Sequence, residues 1–142
     1  MSYIKQTACL SHEPFLEKLI YLIAVYFLIM ARLYKNIRVY QLSYDFVLLV
    51  YKSIADFPES ERSNLQSQIR RASVSIPLNI AEGSAQSSPK QFLHYLNIAF
   101  GSAKELEVLF NLCGDLGLLE KDDSSLLLEK LDELTAKLYL FM

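Results

Sequence analysis

An all-α fold, an antiparallel up-down-up-down four-helix bundle with an additional N-terminal apolar segment, is predicted by three observations. Apolar residues recur at alternating spacings of four and three in four separate stretches between about residue 39 and the C-terminus. That is the period of helices that bury one face. The chain has only four glycines and is rich in Leu, Lys, Glu and Ala, which favours helix over strand. The polar links between the stretches are short, as antiparallel neighbours in a bundle require. At 142 residues and 52% apolar composition, one domain with a substantial core is expected.

Residues 1–29 read differently from the rest and are set apart as an N-terminal extension, leaving a bundle domain at 30–142. Leu19 to Ala31 is an uninterrupted apolar run of 13 residues between Lys18 and Arg32. A membrane span needs about 20 such residues, so a membrane anchor ranks last among the readings. Glu13 and Glu17 precede the run where a secretory leader would be basic. The first expectation is an upstream extension from a misassigned start, since Met30-Ala31-Arg32 offers a second start. The next is an extra helix packed on the bundle.

The first bundle helix is expected over about 39–56, with Tyr40, Tyr44, Val47, Tyr51 and Ile54 as its buried seam and Leu42, Phe46 and Leu49 widening the apolar face. Phe57-Pro58 breaks it. Pro58 then suits the first turn of a second helix, Glu59 to Gly83, with Glu59 and Glu61 at its positive end. In that helix Leu65, Ile69, Ala72, Ile76, Ile80 and Gly83 form one line, and Arg71, Ser75, Asn79 and Glu82 another. Pro77 predicts a kink near Ser73 to Ile76, and Gly83 a left-handed cap.

Ser88-Pro89-Lys90-Gln91 reads as a capping box with proline at the first position. The third helix, Pro89 to about Leu112 or Cys113, carries Phe92, Leu96, Ala99, Ala103, Leu106, Phe110 and Cys113 at strict four-three spacing. Gly101, Ser102 and Ala103 are small enough to admit a close neighbour. Gly114 and Gly117 end it. Asp122 or Asp123 is expected to cap the fourth helix, which carries Leu127, Leu131, Leu134, Leu138 and Phe141. The apolar faces are wider than one four-helix core needs, which predicts burial of a further face in a homo-oligomer.

Gln68 to Ala72, followed by Ser75, Ile76, Pro77, Leu78, Asn79, Ile80, Ala81, Glu82 and Gly83, resembles the signature of a bacterial four-helix-bundle family, the 23S rRNA intervening-sequence proteins. Gly101 to Glu107, Asp115 to Leu119 and Tyr34 to Leu42 match further blocks in the family's order. The resemblance therefore covers the chain from about Tyr34 to its end, and it is specific for the fold. It implies a ring-shaped homopentamer. It also implies nucleic-acid binding and a protein partner, because a relative, the accessory variability protein of diversity-generating retroelements, is a pentameric bundle that binds nucleic acid and partners a reverse transcriptase.

No catalytic constellation is present in the sequence: no HExxH, no phosphate-cradling glycine loop, no GxSxG and no cysteine beside a base. An enzyme, a small-molecule substrate and a cofactor are therefore not expected. Cys9 and Cys113 lack paired spacing, which suits a reduced, cytoplasmic setting. His12 and His94 are too few for a zinc site, and no metal is expected. Asn79 and Glu82 are read, ahead of lining a ligand site, as structural groups that satisfy buried backbone donors or carbonyls freed by Pro77 or cap a neighbouring helix, and Arg71 as pairing with a carboxylate across the bundle.

The remaining candidate is electrostatic. Net charge is −2, but residues 30–71 hold seven Lys/Arg against four acids, and residues 72–142 hold five against ten. Arg38, Arg62, Arg70, Arg71, Lys90 and Lys104, with Lys35, are the candidate phosphate-binding surface. No aromatic-basic motif accompanies them, so binding would follow the backbone and not the bases. Scattered solvated charges and intersubunit ion pairs account for the same residues equally well. The expected function is a non-enzymatic oligomeric scaffold or adaptor associated with RNA or DNA. The alternative is a structural or protein-binding oligomer with no nucleic-acid affinity.

Overall fold

The computed structural model describes residues 13–142; Cys9 and His12 lie outside them. Five helices follow one another: α1 Glu13–Arg32, α2 Arg38–Ser53, α3 Leu65–Ser84, α4 Pro89–Asp115 and α5 Lys121–Phe141. Short 3-10 turns at Leu33–Asn36 and Glu59–Glu61 lead into α2 and towards α3. Helices α2 to α5 each pack on the next, and α5 closes back onto α2. This circuit is the four-helix bundle the periodicity predicts, and α3 with α4 forms its largest contact.

The core follows the expected lines on three of the four helices, except that Phe141, expected to extend the line of α5, is 43% exposed. Ile69, Ala72, Ile76 and Ile80 of α3 meet Leu96, Ala99, Ala103, Leu106, Phe110 and Cys113 of α4, and Leu127, Leu131, Leu134 and Leu138 of α5. On α2 the expected seam is corrected. Val39, Ser43, Phe46 and Val50 are the buried residues, and Ile54 just beyond is buried with them. Tyr44 and Tyr51 remain 52% and 41% exposed. Two apolar lines lie one residue apart on this helix. The line of Val39, Phe46 and Val50 buries at little polar cost, its one hydroxyl, on Ser43, being satisfied by the Tyr40 carbonyl at 2.6 Å, whereas Tyr44 and Tyr51 of the other line stay open to water.

Helix boundaries shift for equally local reasons. Residues 59–64 contain no apolar side chain, so they gain nothing from a helical stripe, and α3 begins at Leu65 instead of Glu59. Gln66 ties the preceding loop down by donating from Nε2 to the Ile54 carbonyl at 2.5 Å, fully within the core. Helix α3 runs on through a buried Pro77 to Ser84.

Gly83 is not a cap. It lies buried inside α3, and a Cβ there would stand 2.8 Å from both Phe92 Cδ2 and Tyr95 Cβ of α4. The glycine is what lets α3 and α4 approach at this level. Gly117, after α4, is the glycine with left-handed backbone, at φ 70°. Gly101 is exposed, and among the described residues nothing lies near its Cβ position, so there it admits no close neighbour.

Ser88 caps α4 as expected, but the reciprocal half of the box does not form: Gln91 Oε1 accepts from Ser88 Oγ at 3.3 Å and not from the Ser88 backbone N–H. Gln91 N donates to Ser88 Oγ at 3.2 Å, behind Pro89 in the first turn. Helix α5 starts after Glu120 with no side-chain cap. Asp122 and Asp123 sit in its first turn, where they complement the helix dipole without capping it.

Helix α1 meets the bundle through the Leu33–Asn36 turn. Leu16, Leu19, Ile20, Tyr21, Leu22, Ile23 and Tyr26 are all exposed. No helix among the described residues is long and apolar enough to cross a membrane.

Candidate nucleic-acid interface

Helix α3 presents an inner face to the core and an outer face along Ser67, Arg70, Arg71, Val74, Ser75, Leu78, Asn79 and Glu82. With Tyr51 of α2 and Arg62 of the connecting loop, this face lines an open groove of about 520 Å³. Helical spacing of three and four puts Arg70, Arg71, Val74 and Leu78 side by side, and the short loop carries Arg62 to the same end.

The three arginines are differently held. The Arg70 guanidinium lies over the Tyr51 ring, with Cζ 5.2 Å from its centroid. Its Nε is buried and has no hydrogen-bond partner among the described residues, and a buried donor left unpaired is unusual. Arg71 is exposed, and among the described residues it makes no ion pair across the bundle, contrary to expectation. Arg62 meets Glu59 at 3.6 Å, both side chains largely in solvent, a pair worth little.

The polar signature residues form a relay and not a ligand set. Asn79 Nδ2 donates to the Ser75 carbonyl at 2.8 Å and to Ser75 Oγ at 3.0 Å. Ser75 Oγ lies 2.8 Å from Ser102 Oγ of α4, which donates to the Ile98 carbonyl at 3.1 Å. One consistent proton assignment runs Asn79 to Ser75 to Ser102 to Ile98, satisfying each group between the two helices. Asn79 therefore serves the bundle through Ser75. The carbonyl that Pro77 frees is that of Ser73, and Asn79 does not reach it. Glu82 is exposed at the far end of the groove, the sole acid among the described residues lining it.

A second groove of about 440 Å³ continues from the first, sharing Tyr51, Val74 and Leu78. Tyr34, Tyr40, Tyr44 and Leu48 line it opposite Pro77 and Ala81 of α3. The rings form a ladder. Tyr34 meets Tyr40 edge-on at 4.7 Å, and Tyr40 meets Tyr44 at 6.3 Å. Burial, then the neighbouring phenols of Tyr34 and Tyr44, raise the Tyr40 pKa above its ordinary 10.0. Spacing in the sequence assigns Tyr40, Tyr44 and Tyr51 to the core. The available signal was their chemistry, since a seam of three phenols leaves hydroxyls to satisfy.

The other basic candidates stand apart from this groove. Arg38 opens α2 beside Lys137, Leu140 and Phe141. Lys90 is exposed in the first turn of α4. Lys104 pairs with Glu107 at 2.6 Å and reaches over Phe100. Lys35 sits in the 3-10 turn ahead of α2. The structure thus brings Arg62, Arg70 and Arg71 together and leaves Arg38, Lys90 and Lys104 separate.

Among the described residues no group of three or more His, Cys, Asp or Glu is placed to hold a metal ion. Cys113 is a buried free thiol whose pKa is raised, first by burial and then by the charge of Glu61, so it stays protonated and inert. His94 is exposed against the edge of Tyr95.

Fold and groove together define a four-helix bundle with one arginine-lined outer face. The family model described as 23S rRNA-intervening sequence protein matches residues 35–140, and the chain belongs to that family. Among solved structures, it is similar to a protein of unknown function from the S23 ribosomal protein family of Bacteroides thetaiotaomicron VPI-5482. The two share 24% identity over 72% of this chain and 96% of that one, with a TM-score of 0.66. That likeness speaks for the fold. No curated protein matches the chain. The family match begins at Lys35, after α1, and spans all four bundle helices.

Proposed function

We propose that this protein is a non-enzymatic, self-associating helical scaffold that holds nucleic acid along the Arg62–Arg70–Arg71 groove. The observation that carries the reading is the convergence of these arginines on one open groove, with Arg71 exposed and without an ion-pair partner among the described residues. Guanidinium forks match phosphate oxygens in geometry and charge. Binding of this kind releases counterions and weakens with salt. The buried free thiol of Cys113 suits a reduced cytoplasm.

Self-association is supported by the outer face of α4. His94, Ile98, Gly101, Glu105, Val108 and Leu112 recur there at four-three spacing. Ile98, Val108 and Leu112 are all exposed, and Gly101 leaves open space between them. This is a helix–helix seam without a partner among the described residues. A pentamer is the assembly that the family resemblance implies. The same stripe favours the second reading, a protein-binding oligomer with no nucleic-acid affinity.

Light scattering on the full chain with and without single-stranded RNA separates the two. The expected result is a discrete multimer that gains mass with RNA at moderate salt. Arg70→Ala with Arg71→Ala should then lose the RNA and keep the multimer. A multimer indifferent to RNA supports the second reading, and a folded monomer contradicts the assembly.

A further inference from the structure

Beside the arginine groove runs a line of tyrosines that phosphate binding does not use. We infer that the Tyr40–Tyr44–Tyr51 face is a stacking platform for unpaired bases, so that the ligand of this surface is a single-stranded nucleic acid and not a duplex. The inference rests on the proposed function, since the arginines are taken as the phosphate contacts.

Four observations carry it. The two grooves are one continuous surface, because Tyr51, Val74 and Leu78 line both. Tyr44 and Tyr51 are 52% and 41% exposed on a bundle whose core is complete without them. Tyr51 carries the Arg70 guanidinium at 5.2 Å, so the charged and aromatic parts are joined at one residue. Tyr44 and Tyr51 lie seven residues apart on α2, about 10 Å along the helix, which matches about three stacked nucleotide steps of 3.4 Å.

A duplex keeps its bases stacked on each other and offers this surface only its phosphates. A single strand offers both parts, with phosphates to the arginines and base faces to the phenols. Every base has a π-face, so the platform discriminates strandedness and not sequence. Charge argues against an acidic or apolar peptide as the first choice of occupant. Three arginines against Glu82 and the largely solvated Glu59 leave the surface basic and favour a polyanion, and the phenol edges favour flat rings over aliphatic side chains.

The test is fluorescence anisotropy on the full chain with a labelled uridine oligonucleotide, a duplex of the same length, and polyglutamate as competitor. The single strand should bind about tenfold more tightly than the duplex. Tyr44→Ala should weaken single-strand binding about fivefold or more and leave duplex binding and the salt slope unchanged. Tyr44→Phe, which keeps the ring, should restore it. Unchanged circular dichroism confirms that the half-exposed position has not cost the fold. Equal affinity for strand and duplex, with Tyr44→Ala silent, overturns the platform and leaves the phosphate groove standing. Binding of neither form at low salt overturns both. Displacement of the strand by polyglutamate at equal charge overturns the base contacts in favour of an acidic protein partner.

Discussion

The two sides of α3 are built on opposite rules. Towards α4 the helix is closed: Ile76 and Ile80 are fully buried, Gly83 gives way to Phe92 and Tyr95, and Ser75 joins Ser102. Towards solvent it is open: Leu78 is 53% exposed, Arg71 has no partner among the described residues, and Arg70 leans on a tyrosine. Residues two apart in one signature, Ile76 and Leu78, therefore answer to different demands. The contrast teaches that the signature run from Ser75 to Gly83 is two devices in one stretch. Its inward residues set the distance between helices, and its outward residues shape a surface.

That division is open to direct test by stability measurements. Ile76→Ala, on the closed side, should cost about 2–5 kcal/mol in denaturant unfolding, from lost burial and the cavity left. Gly83→Ala should cost about 1–3 kcal/mol, because the new methyl forces α3 and α4 apart. An unchanged midpoint there would mean the helices yield easily and the close approach is incidental. Ser102→Ala breaks the relay and leaves Ser75 without its acceptor, which should cost about 0.5–1.5 kcal/mol. Leu78→Ser, on the open side, should shift stability by no more than about 0.5 kcal/mol. A loss as large as that of Ile76→Ala would show that the groove face is covered in the working assembly.

Much of the bundle was legible in the sequence, and the limits have physical causes. The four-three lines of α4 and α5 translate into core from Leu96 to Cys113 and from Leu127 to Leu138, and fail at Phe141, where the last turn leaves the ring partly in solvent. Ser88 and Gln91 announce a helix start through chemistry confined to one turn. On α2, periodicity gives the spacing of a stripe but not which of two adjacent stripes faces inward. Spacing alone therefore points to the tyrosine line as seam, and the aromatic half of the surface emerges only with the fold. Gly83 carries the same ambiguity, since cap and close contact both call for glycine, and the deciding atoms belong to Phe92 and Tyr95. The convergence of Arg62 with Arg70 and Arg71 depends on the loop at 59–64. That loop was expected to be helical, a geometry that would have spread the three arginines along one rod.

The central claim is that the arginines of the open face of α3 hold phosphates. It is tested most directly by the salt dependence of single-strand binding, for the native chain and for Arg70→Ala with Arg71→Ala. The account predicts a logarithmic slope that flattens by about 0.7 for each lost phosphate contact, together with weaker binding at every salt concentration. Parallel lines of equal affinity would contradict it and return the groove to the role of a solvated helix face.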